Sequence, residues 1–220
     1  MRGRQASGSA AGGVAVTVVI FTVRDASLSV LLIHRAADPF AGWWALPGGI
    51  LLPGETLDQA AARKLLSETG VSDVYLEQLY TFDAPPDPAP ATPVVAYFAL
   101  VDANRVHLEE RPSWTPAWFP VCDLPELAFD NTAIVRYALR RLRAKLGYSN
   151  VVYSLLPEHF TLTQLQSVYE AIVGHPLDKR NFRKRILSLG FLSPTGETRS
   201  GGAHRPAHLY RFSQREPLTF

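Results

Sequence analysis

The stretch "ETLDQAAARKLLSETG", Glu55 to Gly70, reads as a helix built to hold divalent metal ions against a pyrophosphate. Positions i, i+3 and i+4 of a helix share a face, and carboxylates there supply the oxygen ligands that a hard Mg²⁺ ion takes. Lys64, Ser67 and Glu68 stand at that spacing here, and only the last is a carboxylate. Lys64 places a cation where a doubly charged ion needs a ligand or base, and Ser67 offers a neutral hydroxyl, so metal affinity is expected to collapse. No metal ligand and no catalytic residue is therefore assigned. The remaining groups still suit an anion: Lys64 can replace the metal as phosphate counter-charge, and Arg35 on an adjacent strand can add a second charge. Each of the two, taken singly, reads equally well as a solvent-facing cation. Trp43, Trp44, Tyr80 and Phe82 are candidates to stack on an adenine, although a core role is the commoner one for such side chains. Trp44 and Phe82 are expected to bind the ligand with Arg35 and Lys64. Glu55 and Arg63 are expected to hold the loop-helix frame rather than do chemistry.

A second constellation is "DKRNFRKRILSLG". Phe182, Ile186 and Leu189 recur at i, i+4 and i+7, a stripe that packs a helix against a partner. Arg180, Arg183 and Lys184 project opposite, flanked by Lys179 and Arg185. This basic face and the positive end of the helix dipole suit phosphates, and arginine can reach guanine edges in a major groove. Asn181 is placed to read an adenine. Arg199, His204 and Arg205, around a Gly-rich turn, are expected to contact the backbone or minor groove. His175 and His208 read as turn and strand residues rather than metal ligands.

The elements that must position these residues follow from pattern and punctuation. "VAVTVVIFTV" and "LSVLLIHR" are strand-like runs separated by two to three residues, a hairpin rather than a secretion signal. Thr56 and Gln59 form a capping box at the start of the first helix, and Gly70 supplies its left-handed stop. "LEQLYTF" and "PVVAYFALV" read as strands joined by the proline-rich loop "DAPPDPAPATP". A second helix is expected from about Asn131 to Leu146, with Asp130 as its cap. Thr161 and Gln164 form another capping box, opening a helix that ends at Gly174, and Asp178 caps the basic helix, which ends at Gly190. Two helices joined by a tight turn, followed by "FLS", a Gly-rich turn and "AHLYRF", suggest a helix-turn-helix with a small wing.

Of the 220 residues, 47% are hydrophobic and 19% charged, which describes a globular protein with enough apolar area for a core. The net charge of +2 is asymmetric: residues 1–150 carry 13 Lys+Arg against 15 Asp+Glu, and residues 151–220 carry 9 against 5. The basic C-terminal third fits a module that meets a polyanion. The one cysteine, Cys122, excludes an intramolecular disulfide, fits a reducing, cytoplasmic setting and is expected to be a small buried hydrophobe. Beyond the first strand no apolar run approaches the roughly 18 residues of a membrane span. The fold class expected is α+β: a flexible N-terminus over residues 1–12, an α/β/α sandwich over 13–148, and a winged helix-turn-helix over 149–220.

From Gly49 the spacing is Gly, five residues, Glu55, seven residues, then "RKLLSETGV". This resembles the Nudix signature: Gly49, Glu55, Arg63, Leu65, Glu68, Gly70 and Val71 fall in frame, and "DPFAGWWALPGG" upstream is also similar. Combined with "HFTLTQLQSVYEAIVGHPLDKRNFRKRI", nearly the whole chain resembles the Nudix-related transcriptional regulators of NAD metabolism, the NrtR family. The resemblance implies a homodimeric winged-helix repressor of NAD biosynthesis or salvage genes, with no required cofactor, released from its double-stranded DNA operator when ADP-ribose binds the Nudix domain. One departure is that the loop after "LYTF" lacks the family's Arg-Asp-Pro motif, which suggests a regulator that has lost its ligand as a further reading. The enzymatic alternative is an ADP-ribose or NADH pyrophosphatase with residual Mg²⁺-dependent activity.

Overall fold

A computed structural model describes residues 13–83, 92–108, 114–199 and 206–219. Most of the proline-rich loop, the N-terminal lead-in, His204 and Arg205 lie outside the described residues.

The β-branched opening run forms β1 (Ala15–Arg24), which turns through Asp25 and Ala26 into β2 (Ser27–Arg35). Both turn residues have positive φ, 48° and 58°, the conformation whose twist matches the flanking strands of a two-residue hairpin. Short strands β3 (Trp44–Ala45) and β4 (Gly48–Ile50) follow, then α1 (Leu57–Thr69), β5 (Tyr75–Phe82), β6 (Val94–Leu100) and β7 (Trp114–Pro120). Among the described residues these seven strands make one sheet, ordered β3-β2-β1-β6-β5, with β4 on β1 and β7 on β2. β6 runs parallel to β1 and the other pairs are antiparallel.

Alternation along the central strands sends side chains to two cores. On one face Ala60, Ala61 and Leu65 of α1 pack on Val16, Val18, Ile20 and Tyr97. On the other, Val19, Phe21, Leu32 and Phe98 meet Ile134, Ala138 and Leu142 of α2 (Asn131–Lys145). α1 is closed by the Thr56–Gln59 capping box and by Gly70 at φ 68°. Asp130, expected to cap α2, sits at its start but makes no side-chain cap hydrogen bond. Its backbone is left-handed (φ 55°), which turns the carboxylate away from the helix amides, and the neighbouring Asn131 side chain instead accepts from the buried Leu46 N at 2.8 Å.

After α2 a 3₁₀ turn, Val151–Leu155, is buried at all five positions. Then come β8 (Phe160–Thr161), α3 (Leu162–Val173), α4 (Lys179–Ser188), β9 (Leu192–Arg199) and β10 (Ala207–Phe212), with a second sheet ordered β8-β10-β9. This is a winged helix-turn-helix. β9 extends well past the expected "FLS", through Pro194 and Gly196, because its pairing with β10 tolerates a register shift between His208 and Tyr210. Leu165, Ile172, Phe182, Ile186 and Phe212 continue the core that the sheet and α2 begin, so the winged helix and the sandwich share one apolar interior. Arg215 ties the C-terminal segment back to the 3₁₀ turn: its Nη2 donates to the carbonyls of Tyr153 (2.8 Å) and Leu156 (2.9 Å), and its Nη1 to that of Pro157 (3.2 Å). Cys122 is exposed rather than buried, because it lies in the turn that follows β7 and not in the strand.

Candidate functional sites

On α1, Arg63 donates from Nε to Glu55 Oε1 at 2.6 Å and from Nη2 to Glu55 Oε2 at 2.8 Å, and Leu52 N donates to Oε2 at 3.1 Å. The Arg63 hydrogen bond holds the Glu55 carboxyl down to about 2, so the group stays ionised as one half of a brace between loop and helix. One turn further on, Glu68 is buried and Ser67 Oγ lies 3.1 Å from Lys64 O and 3.2 Å from Glu68 Oε1. The half-buried Lys64 folds over β4: a Cβ added at Gly49 would lie 3.0 Å from its Cε and 3.3 Å from its Nζ. Gly49 thus leaves room for the lysine, and Gly48 is held bare by the Val16 carbonyl, 3.0 Å from where a Cβ would stand.

These two glycines border a cleft of about 340 Å³, whose wall also includes Thr17, Arg35, Phe129 and Asn131. Arg35 is fixed there by donation to Pro39 O (3.0 Å) and Ala37 O (3.3 Å), with its guanidinium 4.8 Å from the centre of the Phe129 ring. Two of its five N–H donors are used in this way, so the group presents charge and donors to the cleft. A groove of this size with a fixed guanidinium in its wall suits a phosphorylated ligand, whereas Lys64, which touches Gly49, is not part of that wall.

Neither Trp44 nor Phe82 reaches this cleft. Trp44 stands edge-on to Phe119 at 4.7 Å and His34 at 5.0 Å, wedged where β3 and β7 flank β2. Phe82 belongs to a cluster with Tyr80 (5.4 Å) and Tyr137 of α2 (5.7 Å). The aromatic ring on the cleft wall is Phe129, which the sequence patterns gave no reason to select: it sits in a 3₁₀ turn with φ 56° and belongs to no periodic run.

On α4, Asp178 accepts from Asn181 N at 2.8 Å, while Phe182 and Ile186 are buried. Phe182 packs edge-on against Tyr169 of α3 at 5.2 Å. The turn from α3 is pinned by Glu170, whose carboxylate accepts from Leu177 N and from Gln166 Nε2, both at 2.9 Å. Lys179, Arg180, Asn181, Lys184 and Arg185 are exposed. Arg183 differs: it is half-buried and its Nη2 reaches Thr163 Oγ1 at 3.4 Å, so it leans on the start of α3 rather than projecting fully. Asn181 and Arg185 lie on the flank of α4 that faces the end of α2, whereas Arg180 and Lys184 occupy the outer face. Arg199 is exposed at the end of β9.

Residues 152–212 match the NrtR DNA-binding winged helix domain, and residues 13–142 match the NUDIX domain. Over 203 residues, spanning 90% of this chain and 81% of the other, the chain is 38% identical to the ADPR responsive transcriptional repressor NtrR of Acinetobacter baylyi. The chain belongs to the NrtR family. NrtR of Shewanella oneidensis, solved in complex with a 27mer DNA, superposes with a TM-score of 0.81 at 36% identity, over 91% of this chain and 93% of that one. The NUDIX domain of the same NrtR, solved with ADP ribose, matches at a TM-score of 0.54 and 35% identity over 60% of this chain and 89% of that domain. Both NrtR-type modules are thus present in order, and the two candidate sites fall one in each.

Proposed function

We propose that the chain is a DNA-binding transcriptional repressor of NAD biosynthesis or salvage genes, in which residues 13–148 sense ADP-ribose or a related nucleotide and residues 149–220 bind operator DNA. It acts in the cytoplasm as a homodimer on two operator half-sites. The observation that carries this reading is the pairing of a fixed cation, Arg35, in the wall of the cleft with a basic outer face on α4. Lys64 and Arg35 neutralise the diphosphate in place of metal ions, Phe129 and the apolar wall take the rest of the ligand, Lys179, Arg180 and Lys184 engage DNA phosphates, and Asn181, Arg183, Arg199 and Arg205 make further DNA contacts. The ligand releases DNA only if it prefers the dimer arrangement in which the two winged helices no longer fit their half-sites.

On this reading the Nudix domain is not a hydrolase, since Lys64 and Ser67 leave Glu68 as the one carboxylate on the α1 face. A steady-state assay with Mg²⁺ and ADP-ribose tests it. Turnover below detection is expected, and a rate of about 1 s⁻¹ or more, ordinary for an enzyme, would restore the pyrophosphatase.

A further inference from the structure

A separate cleft of about 380 Å³ opens between the end of α2 and the inner flank of α4. Nothing in nucleotide sensing or operator contact requires it. Leu146, Val173, Leu177 and Ile186 give it an aliphatic lining, and two guanidiniums, Arg143 and Arg185, stand in its wall. Arg143 Nε is committed to the Ile172 carbonyl at 2.8 Å, while Arg185 makes no ion pair among the described residues. The one carboxylate of the lining, Asp178, already caps α4 by accepting from Asn181 N.

Tyr169 also lines the cleft, at 6% exposure, and its buried hydroxyl has no hydrogen-bond partner among the described residues. Buried polar groups are nearly always paired, so an orphaned hydroxyl on a residue of the cleft wall points to a ligand atom as its partner. Burial pushes this phenol up to about 12, against the pull of Arg185, so it remains a donor at neutral pH.

We propose that this cleft is a second small-molecule site, taking an organic monoanion: a carboxylate, received by the Tyr169 hydroxyl and Arg185, on a compact apolar body that covers the aliphatic lining. The volume falls in the range of ordinary ligand pockets. An occupant touches both α2 and α4 and therefore braces the basic helix against the sandwich.

Benzoate, titrated into the full chain by calorimetry and thermal melting with inorganic phosphate in parallel, tests the site. Benzoate is expected to bind once per chain and raise the melting temperature, and phosphate, lacking an apolar body, to bind at least tenfold more weakly. Tyr169→Phe removes the orphaned hydroxyl, so the ligand-free variant should melt no lower than the parent while its benzoate affinity falls about tenfold. Arg185→Gln, at an exposed position, should weaken benzoate similarly. No benzoate binding to the parent chain, equal affinity for phosphate, or benzoate affinity untouched by both substitutions would overturn the proposal.

Discussion

Lys64 lies over Gly49 so closely that a single methyl group on the glycine would stand 3.3 Å from the lysine nitrogen. The glycine therefore sets where the ammonium can rest. A charge-assisted contact to a phosphate is worth about 1.5–3 kcal/mol, so Lys64→Ala should weaken ADP-ribose binding by roughly tenfold or more in calorimetry. DNA affinity should stay at the parent value. Ligand affinity that ignores the substitution would return Lys64 to the surface.

The outer face of α4 makes a separate prediction. Arg180→Glu and Lys184→Glu each remove a cation from an exposed position and leave Phe182 and Ile186 packed. Each should reduce DNA affinity across sequences and lower the slope of log affinity against log salt by about 1, with the circular dichroism spectrum unchanged. An unaltered salt slope would mean that another face of the winged helix meets the DNA.

Arg215 serves three carbonyls around the 3₁₀ turn where the sandwich passes into the winged helix. Arg215→Ala strands those acceptors at a cost of about 2 kcal/mol, which lowers the melting temperature by roughly 4–8 °C. Because the apolar core is continuous from Phe98 to Phe212, the variant should still unfold in one transition. Two resolved transitions would show that the modules are energetically independent.

Acid sensitivity should come in part from Glu77. Burial raises its carboxyl, but hydrogen bonds from Lys145 and Tyr75 outweigh that, and the group sits below its ordinary 4.5. Lys145 Nζ is 2.8 Å away on α2, and Arg141 Nη2 is 3.3 Å away. A carboxyl depressed in the folded state stabilises it above the unfolded value and loses that contribution as pH falls through the folded one. Glu77→Gln should therefore be less stable than the parent at neutral pH, with the difference shrinking in urea titrations run below 4.5. A gap that stays constant with pH would assign the effect to packing.

The local frame was legible in the sequence because its determinants are local. The capping boxes at Thr56 and Thr161 and the left-handed glycines at 70 and 174 are written within a few residues of the helices they bound. β7 was not legible: Pro116 and Pro120 argue against a strand, and among the described residues it pairs with β2 alone, so its prolines need no partner on the other side. The cleft was legible only in Arg35 and Gly49. Its wall draws on β1, β2, β4 and the turn around Phe129, which are distant in sequence, and stacking residues chosen by type alone, Trp44 and Phe82, proved to be packed elsewhere. Tyr169 read correctly as part of the apolar stripe of α3, but its unsatisfied hydroxyl is a property of the packed structure.

The most direct measurement is fluorescence anisotropy of labelled DNA from upstream of NAD-synthesis genes, titrated with the protein at fixed salt, with and without ADP-ribose. The expected result is tight, sequence-specific binding that ADP-ribose reverses. Binding that ADP-ribose leaves unchanged would contradict the sensing role given to Lys64 and Arg35, and no specific binding at all would contradict the repressor itself.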